Sequence, residues 1–223
     1  TVDFVNLMLY GDKEAVDKAV ASLRDMHKRI RGTDPDGTRY SALEPSAYAW
    51  VHATLAEAIV RGHQVFGTKL SRTEREEFWQ EWLDLGYRLG VRRGDLPDTW
   101  DEFVTYRDEM IDNVLGPNDV ADAVNTKAAR ATGGSPFPWL PAPVWGLAGR
   151  PLGRYGAFLA HGTMGHKLRE KFGIEWSARQ QFLFARVAAS HRAIRPVMPN
   201  SMRHAGPLAL KLRSREIAAG PFS

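Results

Sequence analysis

Seven histidines and no cysteine bound the chemistry open to this chain of 223 residues. Without a thiol there is no disulfide, zinc–thiolate centre, iron–sulfur cluster or cysteine nucleophile. Two histidines stand out by where they fall. His52 lies in Glu44–Gly67, EPSAYAWVHATLAEAIVRGHQVFG, where Tyr48, His52, Leu55 and Ile59 recur at helical period and Val51 and Ala58 widen the face. His27 lies on the preceding apolar stripe, one turn after Arg24. A titratable ring on an apolar face needs a partner. For His52 that partner is a buried hydrogen-bond acceptor or a metal. For Arg24 and His27 the plain structural reading is an ion pair or a cap at the helix edge, with Asp25 or Asp17.

Two helices joined by a turn pack antiparallel, so both histidine-bearing faces can border one cavity. Imidazole is a natural axial ligand for haem iron. Across the haem, an arginine and a second histidine can hydrogen-bond bound oxygen or stabilise charge on it. Two other chemistries use the same residues. His27 or His52 can act as a general base with no cofactor. The cavity can also hold a lipid or a partner segment without iron, in a protein that catalyses nothing.

Other sites are absent from the sequence. There is no Gly-rich phosphate loop before a basic residue, no G-x-S-x-G elbow and no H-E-x-x-H. His161 and His166 resemble a metal pair, but on one helix they would stand about 140° apart. Glu76-Glu77 and Asp101-Glu102 fall in first turns, where acids complement the helix dipole. The formal charge of +4 is spread among acids rather than gathered in a run. The densest groups, Lys28–Arg31 and Lys211–Arg215, read as solvated helix faces, which argues against nucleic-acid binding. No apolar run has the length of a membrane span, and Thr1–Gly11 contains Asp3 and lacks a basic start. The expectation is a cytoplasmic protein with no stable membrane insertion.

The elements that would position these residues are helical throughout. A short helix carrying Val2, Val5 and Leu9 ends at Gly11. Asp12 caps a second, with Val16, Ala19, Val20, Leu23, Met26, His27 and Ile30 on its stripe and Gly32 closing it. Thr33–Thr38 is a turn by composition. Pro45 suits the first turn of the central helix and Gly67 its end. Ser71-Arg72-Thr73-Glu74, Thr99-Trp100-Asp101-Glu102 and Ser177-Ala178-Arg179-Gln180 are capping boxes. They open helices with stripes Phe78-Trp82-Leu85-Leu89, Phe103-Tyr106-Met110-Val114 and Leu183-Val187-Ser190-Ile194. A short helix is expected over 120–130, one from Leu152 to Lys171, and a last one after Pro199. Residues 132–151, rich in Gly and Pro yet holding Phe137, Trp139, Leu140 and Trp145, read as an ordered wrap against the helices. No segment shows strand alternation. The fold class is all-α: a single globular multi-helix domain over 1–223, of haem-pocket type.

Several of these segments also carry a resemblance. Arg24-Asp25-Met26-His27, Ile30-Arg31-Gly32, Tyr40-Ser41-Ala42, Trp50-Val51-His52-Ala53-Thr54-Leu55 and Leu96–Phe103, LPDTWDEF, in that order, resemble the oxygenase MpaB family. This is the haem-associated group that includes the catalytic domain of the latex-clearing (rubber) oxygenases. A weaker echo lies in Leu168-Arg169 and Phe172-Gly173-Ile174-Glu175-Trp176. The resemblance implies an all-helical fold around haem b and oxygen-dependent oxidation of a small hydrophobic substrate; relatives among the rubber oxygenases cleave the double bonds of polyisoprene. It implies His52 as the proximal iron ligand, with Arg24 and His27 as distal catalytic and cofactor-binding residues. It further implies an N-terminal segment upstream of Thr1, with which this chain would associate. Homo-oligomerisation is compatible with the same reading.

Overall fold

In a computed structural model of the chain, the residues described are Leu7, 12–33, 37–116 and 142–199. They form seven helices and one small hairpin: α1 (Lys13–Arg29), β1 (Arg31–Thr33), β2 (Arg39–Ser41), α2 (Pro45–Phe66), α3 (Arg72–Leu89), α4 (Trp100–Asn113), α5 (Ala142–Thr163), α6 (His166–Lys171) and α7 (Ala178–Ile194), then a 3-10 turn at Arg195–Val197. The all-α expectation holds. The expected helices at 2–9, 120–130 and beyond Pro199 lie outside the described residues, apart from Leu7, which is helical.

The chain forms two compact units, and both α2 and α3 contribute residues to each. Among the described residues, one unit draws on Leu7, 12–33, 37–57, 76–98 and 194–199, the other on 58–75, 99–116 and 142–193.

In the first unit, α1 starts where Asp12 accepts the main-chain N–H of Ala15. It ends at Ile30, before Gly32. The sequence reading made Gly32 a helix terminator and saw no strand; instead Gly32 pairs with Tyr40 in an antiparallel ladder that also joins Arg31 to Ser41 and Thr33 to Arg39. The Tyr40 ring lies over Gly32, where a Cβ would meet its hydroxyl at 2.6 Å. Three-residue strands are too short for alternation to show in sequence.

The buried face of α2 is turned from the one expected. Ala49, Ala53, Ala56 and Val60 are buried, while Val51 and Ala58 are exposed and Tyr48, Leu55 and Ile59 are half-buried. His52 borders this small-residue stripe and is buried. Alanines allow close approach of another backbone, so the inward face of α2 is its narrowest. On α3 the buried residues are Trp79, Trp82, Leu83 and Gly86; of the expected stripe Trp82 is buried, while Phe78, Leu85 and Leu89 are half-buried. The helix closes with a Schellman pattern: Val91 N–H bonds to Gly86 O, Gly90 N–H bonds to Tyr87 O, and Gly90 has φ +100°. Trp79 donates its indole N–H to Pro97 O, which pins the loop that follows.

In the second unit, α4 opens with the Thr99–Glu102 capping box, both of whose bonds form, and buries Trp100, Phe103 and Ile111. The Gly/Pro-rich wrap expected at 132–151 is corrected over its second half. Ala142–Arg150 and Pro151 belong to α5; positions 132–141 lie outside the described residues. The single long helix expected from Leu152 to Lys171 is broken at Met164-Gly165. Arg61 and Arg169 donate to the end of α5, at Thr163 O, His161 O and Met164 O. On α7 the buried pair is Phe184 and Ala188, while Leu183 and Ile194, placed on the inner stripe by the sequence, are exposed. Phe184 stands at about 6 Å from each of Phe66, Phe158 and Trp176. Gly162 makes room for it: a Cβ there would overlap the Phe184 ring.

Candidate active site

All three residues singled out from the sequence lie in the first unit. His52 is joined to α3 by a reciprocal pair of bonds. Its Nε2 lies 2.8 Å from Trp82 O, and the Trp82 indole N–H donates to His52 O at 2.9 Å. The two rings stack, with centroids 4.9 Å apart and planes inclined by 19°. A carbonyl oxygen only accepts, so Nε2 of His52 carries the hydrogen and the lone pair sits on Nδ1. Gly86, one turn beyond Trp82, makes the approach possible: a Cβ there would stand 2.6 Å from Nε2. Burial holds the His52 imidazole below its ordinary titration range, with the bond to Trp82 opposing the shift. The ring is neutral near pH 7.

His27 is placed differently. It is half-buried, and its Nδ1 lies 2.9 Å from Leu23 O on the same helix. By the same reasoning Nδ1 carries the hydrogen, and the neutral form of this ring has its lone pair on Nε2. Its ring meets Tyr48 edge-on, at 5.9 Å and 89°. Tyr48 precedes His52 by one turn of α2 and donates its hydroxyl to Leu89 O, 3.1 Å away at the end of α3. Burial raises the Tyr48 pKa, and the charge of Arg24 pulls against it. Arg24 is exposed and reaches the C-terminal end of α3, where a Cβ on Gly90 would meet its Nη1 at 3.2 Å. A cation there complements the helix dipole. The acids considered as its partners are engaged elsewhere: Asp25 with Lys28 and Asp17 with Lys13.

Thus Tyr48 links the three helices: its ring meets His27 of α1, its hydroxyl holds the end of α3 that Arg24 also reaches, and it precedes His52 by one turn of α2. Tyr48, Trp82 and Gly86 were missed as site residues. The available signal was the i, i+4 step from Tyr48 to His52 and from Trp82 to Gly86. His161 and His166 are not a pair on one helix, because the break places His161 in the last turn of α5 and His166 at the start of α6.

Comparison with known proteins decides the family. The description "ER-bound oxygenase mpaB/B'/Rubber oxygenase, catalytic domain" matches residues 1–193. The chain belongs to this family of oxygenase catalytic domains. Among curated proteins and among solved structures no match is found. The matched region contains all of α1–α3 and hence every residue of the candidate site.

The haem that the resemblance implies can be tested against the donor set. Among the described residues no group of three or more His, Cys, Asp or Glu could hold a metal ion. A porphyrin iron asks less of the protein, one or two axial donors. Each imidazole here has one nitrogen fixed by a main-chain carbonyl, the arrangement that orients a metal-binding histidine when the ring is neutral. His27 offers Nε2, the less hindered atom. His52 offers Nδ1, since its Nε2 is occupied by the α2–α3 seam. The donor chemistry fits an axial ligand. Among the described residues, no helix is long and apolar enough to cross a membrane.

Proposed function

We propose that the chain is a haem b-dependent oxygenase acting with dioxygen on a small hydrophobic substrate. The observation that carries this reading is the pair of imidazoles from consecutive helices, each anchored through one nitrogen and with no hydrogen bond to a described residue at the other, within a region matched to an oxygenase family. His52 and His27 would hold the cofactor. Haem, when bound, supplies the iron that binds and activates dioxygen. The other tasks fall to the chain. The Leu23 and Trp82 carbonyls fix the tautomers of His27 and His52. Arg24, an exposed cation one turn before His27, would stabilise negative charge on a reacting oxygen. Tyr48 meets His27 edge-on and holds the end of α3, and so would keep His27 in place relative to the α2–α3 pair.

The test is an ultraviolet–visible spectrum and a pyridine haemochrome assay on protein expressed with added haem. A Soret band that His52→Ala abolishes while helicity persists supports His52 as ligand; a normal band in that variant removes it. Arg24→Ala should keep the haem and lose turnover. A second reading is favoured by the seam itself: with Nε2 bonded and its ring stacked, His52 already has a complete structural role. On that reading the chain is a helical lipid- or partner-binding protein, and no Soret band forms in any variant.

A further inference from the structure

The second unit carries a surface that the oxygenase reading does not use. The first half of α5 turns apolar side chains outward. Leu147 is 83% exposed, Leu152 50%, Val144 48% and Tyr155 44%. With Pro151 they fall on one stripe at helical period, while Gly149 on the opposite side is buried. The second half of α5 brings larger side chains inward, where Phe158 stacks on Trp176.

Charge separates the classes of occupant. The 22 residues of α5 include no acid, and Arg150 and Arg154, both exposed, border the stripe beside Leu147. Arginines at the margin of an apolar stripe can lay their stems along it and lift their guanidinium groups to phosphates. Tyr155 suits the same boundary, with an apolar ring and a polar tip. A second copy docked by a two-fold contact would bring these arginines against their own equivalents, with no acid on either helix to receive them. A neutral apolar partner would leave them unused. We propose that this face of α5 adsorbs to an anionic phospholipid surface, lying in the plane of the interface. The helix would rest on the bilayer rather than cross it, consistent with its lack of a spanning apolar run.

The test is flotation of the full chain with vesicles of phosphatidylcholine alone or mixed with phosphatidylglycerol. The wild type should float with the mixed vesicles and much less with phosphatidylcholine. Arg150→Glu should weaken binding about fivefold or more, and added salt should do the same. Leu147→Glu should weaken it more than roughly tenfold. Far-ultraviolet circular dichroism confirms that each variant is folded, and Leu152→Glu replaces Leu147→Glu should that one not be. Wild-type protein that stays in solution overturns the proposal, as does equal flotation on both vesicle types or unchanged flotation of the leucine variant. A dimer in sedimentation that Leu147→Glu splits, without flotation, assigns the face to a second copy and overturns it as well.

Discussion

The two histidines of the candidate site sit on consecutive helices of one unit, yet their surroundings have little in common. His52 is buried, stacked on an indole and bonded to a main-chain carbonyl from a different helix, with a glycine shaped to receive it. His27 is half-buried, bonded among the described residues only within its own helix, and touched edge-on by a tyrosine. A cross-helix bond makes a side chain part of the packing, so its loss is felt in stability. A bond to the preceding turn orients a ring without joining anything to anything else. The first arrangement builds a platform and the second presents a group. The same residue type is therefore tied into the packing in one place and only oriented in the other.

Four experiments would break or sharpen this contrast. Trp82→Ala removes the stack, the indole donor and a buried ring; we expect a loss of about 3–5 kcal/mol in urea unfolding. Gly86→Ala places a Cβ against Nε2 of His52 and should lower stability by about 1–3 kcal/mol, seen as a lower thermal midpoint. His27→Ala should cost no more than about 1 kcal/mol, the net worth of one hydrogen bond. A loss as large as that of Trp82→Ala would erase the distinction between the two histidines. The smallest effect concerns pH. His52 binds its proton less readily when folded than in the unfolded chain, where it titrates near 6.5. Above that value it is neutral in both states, and the fold keeps its full stability. As the pH falls through 6.5 the unfolded chain takes the proton first, so stability drops until the pH has passed the lowered folded value. His52→Gln should flatten the unfolding free energy between pH 7 and 5. Some slope will persist from His161, which burial and Arg169 shift in the same direction.

What could be read from the sequence follows the range of the interactions. Caps were legible because a side chain and a main-chain N–H three residues on settle them: Asp12 to Ala15, Ser71 to Glu74, Thr99 to Glu102, Ser177 to Gln180. The order of α1 to α4 and the fold class followed. The rotational phase of α2 did not. The sequence reading favoured large side chains, whereas contact is made by Ala49, Ala53 and Ala56, whose value lies in letting a backbone come near. His52 survived that error because it borders both faces. The hairpin was hidden by its length, and the break at Met164-Gly165 by an arginine that reaches it from α2. For the site, Arg24, His27 and His52 were found by type and spacing, but nothing local could reveal that Trp82, thirty residues away, would take the Nε2 hydrogen of His52. Gly86 was invisible for the same reason, since the need for a missing Cβ depends on what lies opposite.

The reciprocal bonding of His52 and Trp82 also has a mechanical side. Each helix is gripped through its main chain by the other's ring, at the same level. An axial slip by one helical turn displaces the backbone by about 5.4 Å, beyond the reach of either bond. The portions of α2 and α3 within this unit can tilt or twist by degrees, but they cannot ratchet past one another. They act as a keyed shaft, and Tyr48, which grips the end of α3 one turn further along, travels with it. A large ligand beside His27 is accommodated more readily by a shift of α1, whose ring contact to α2 is the edge-on meeting of His27 with Tyr48, than by sliding of the keyed pair.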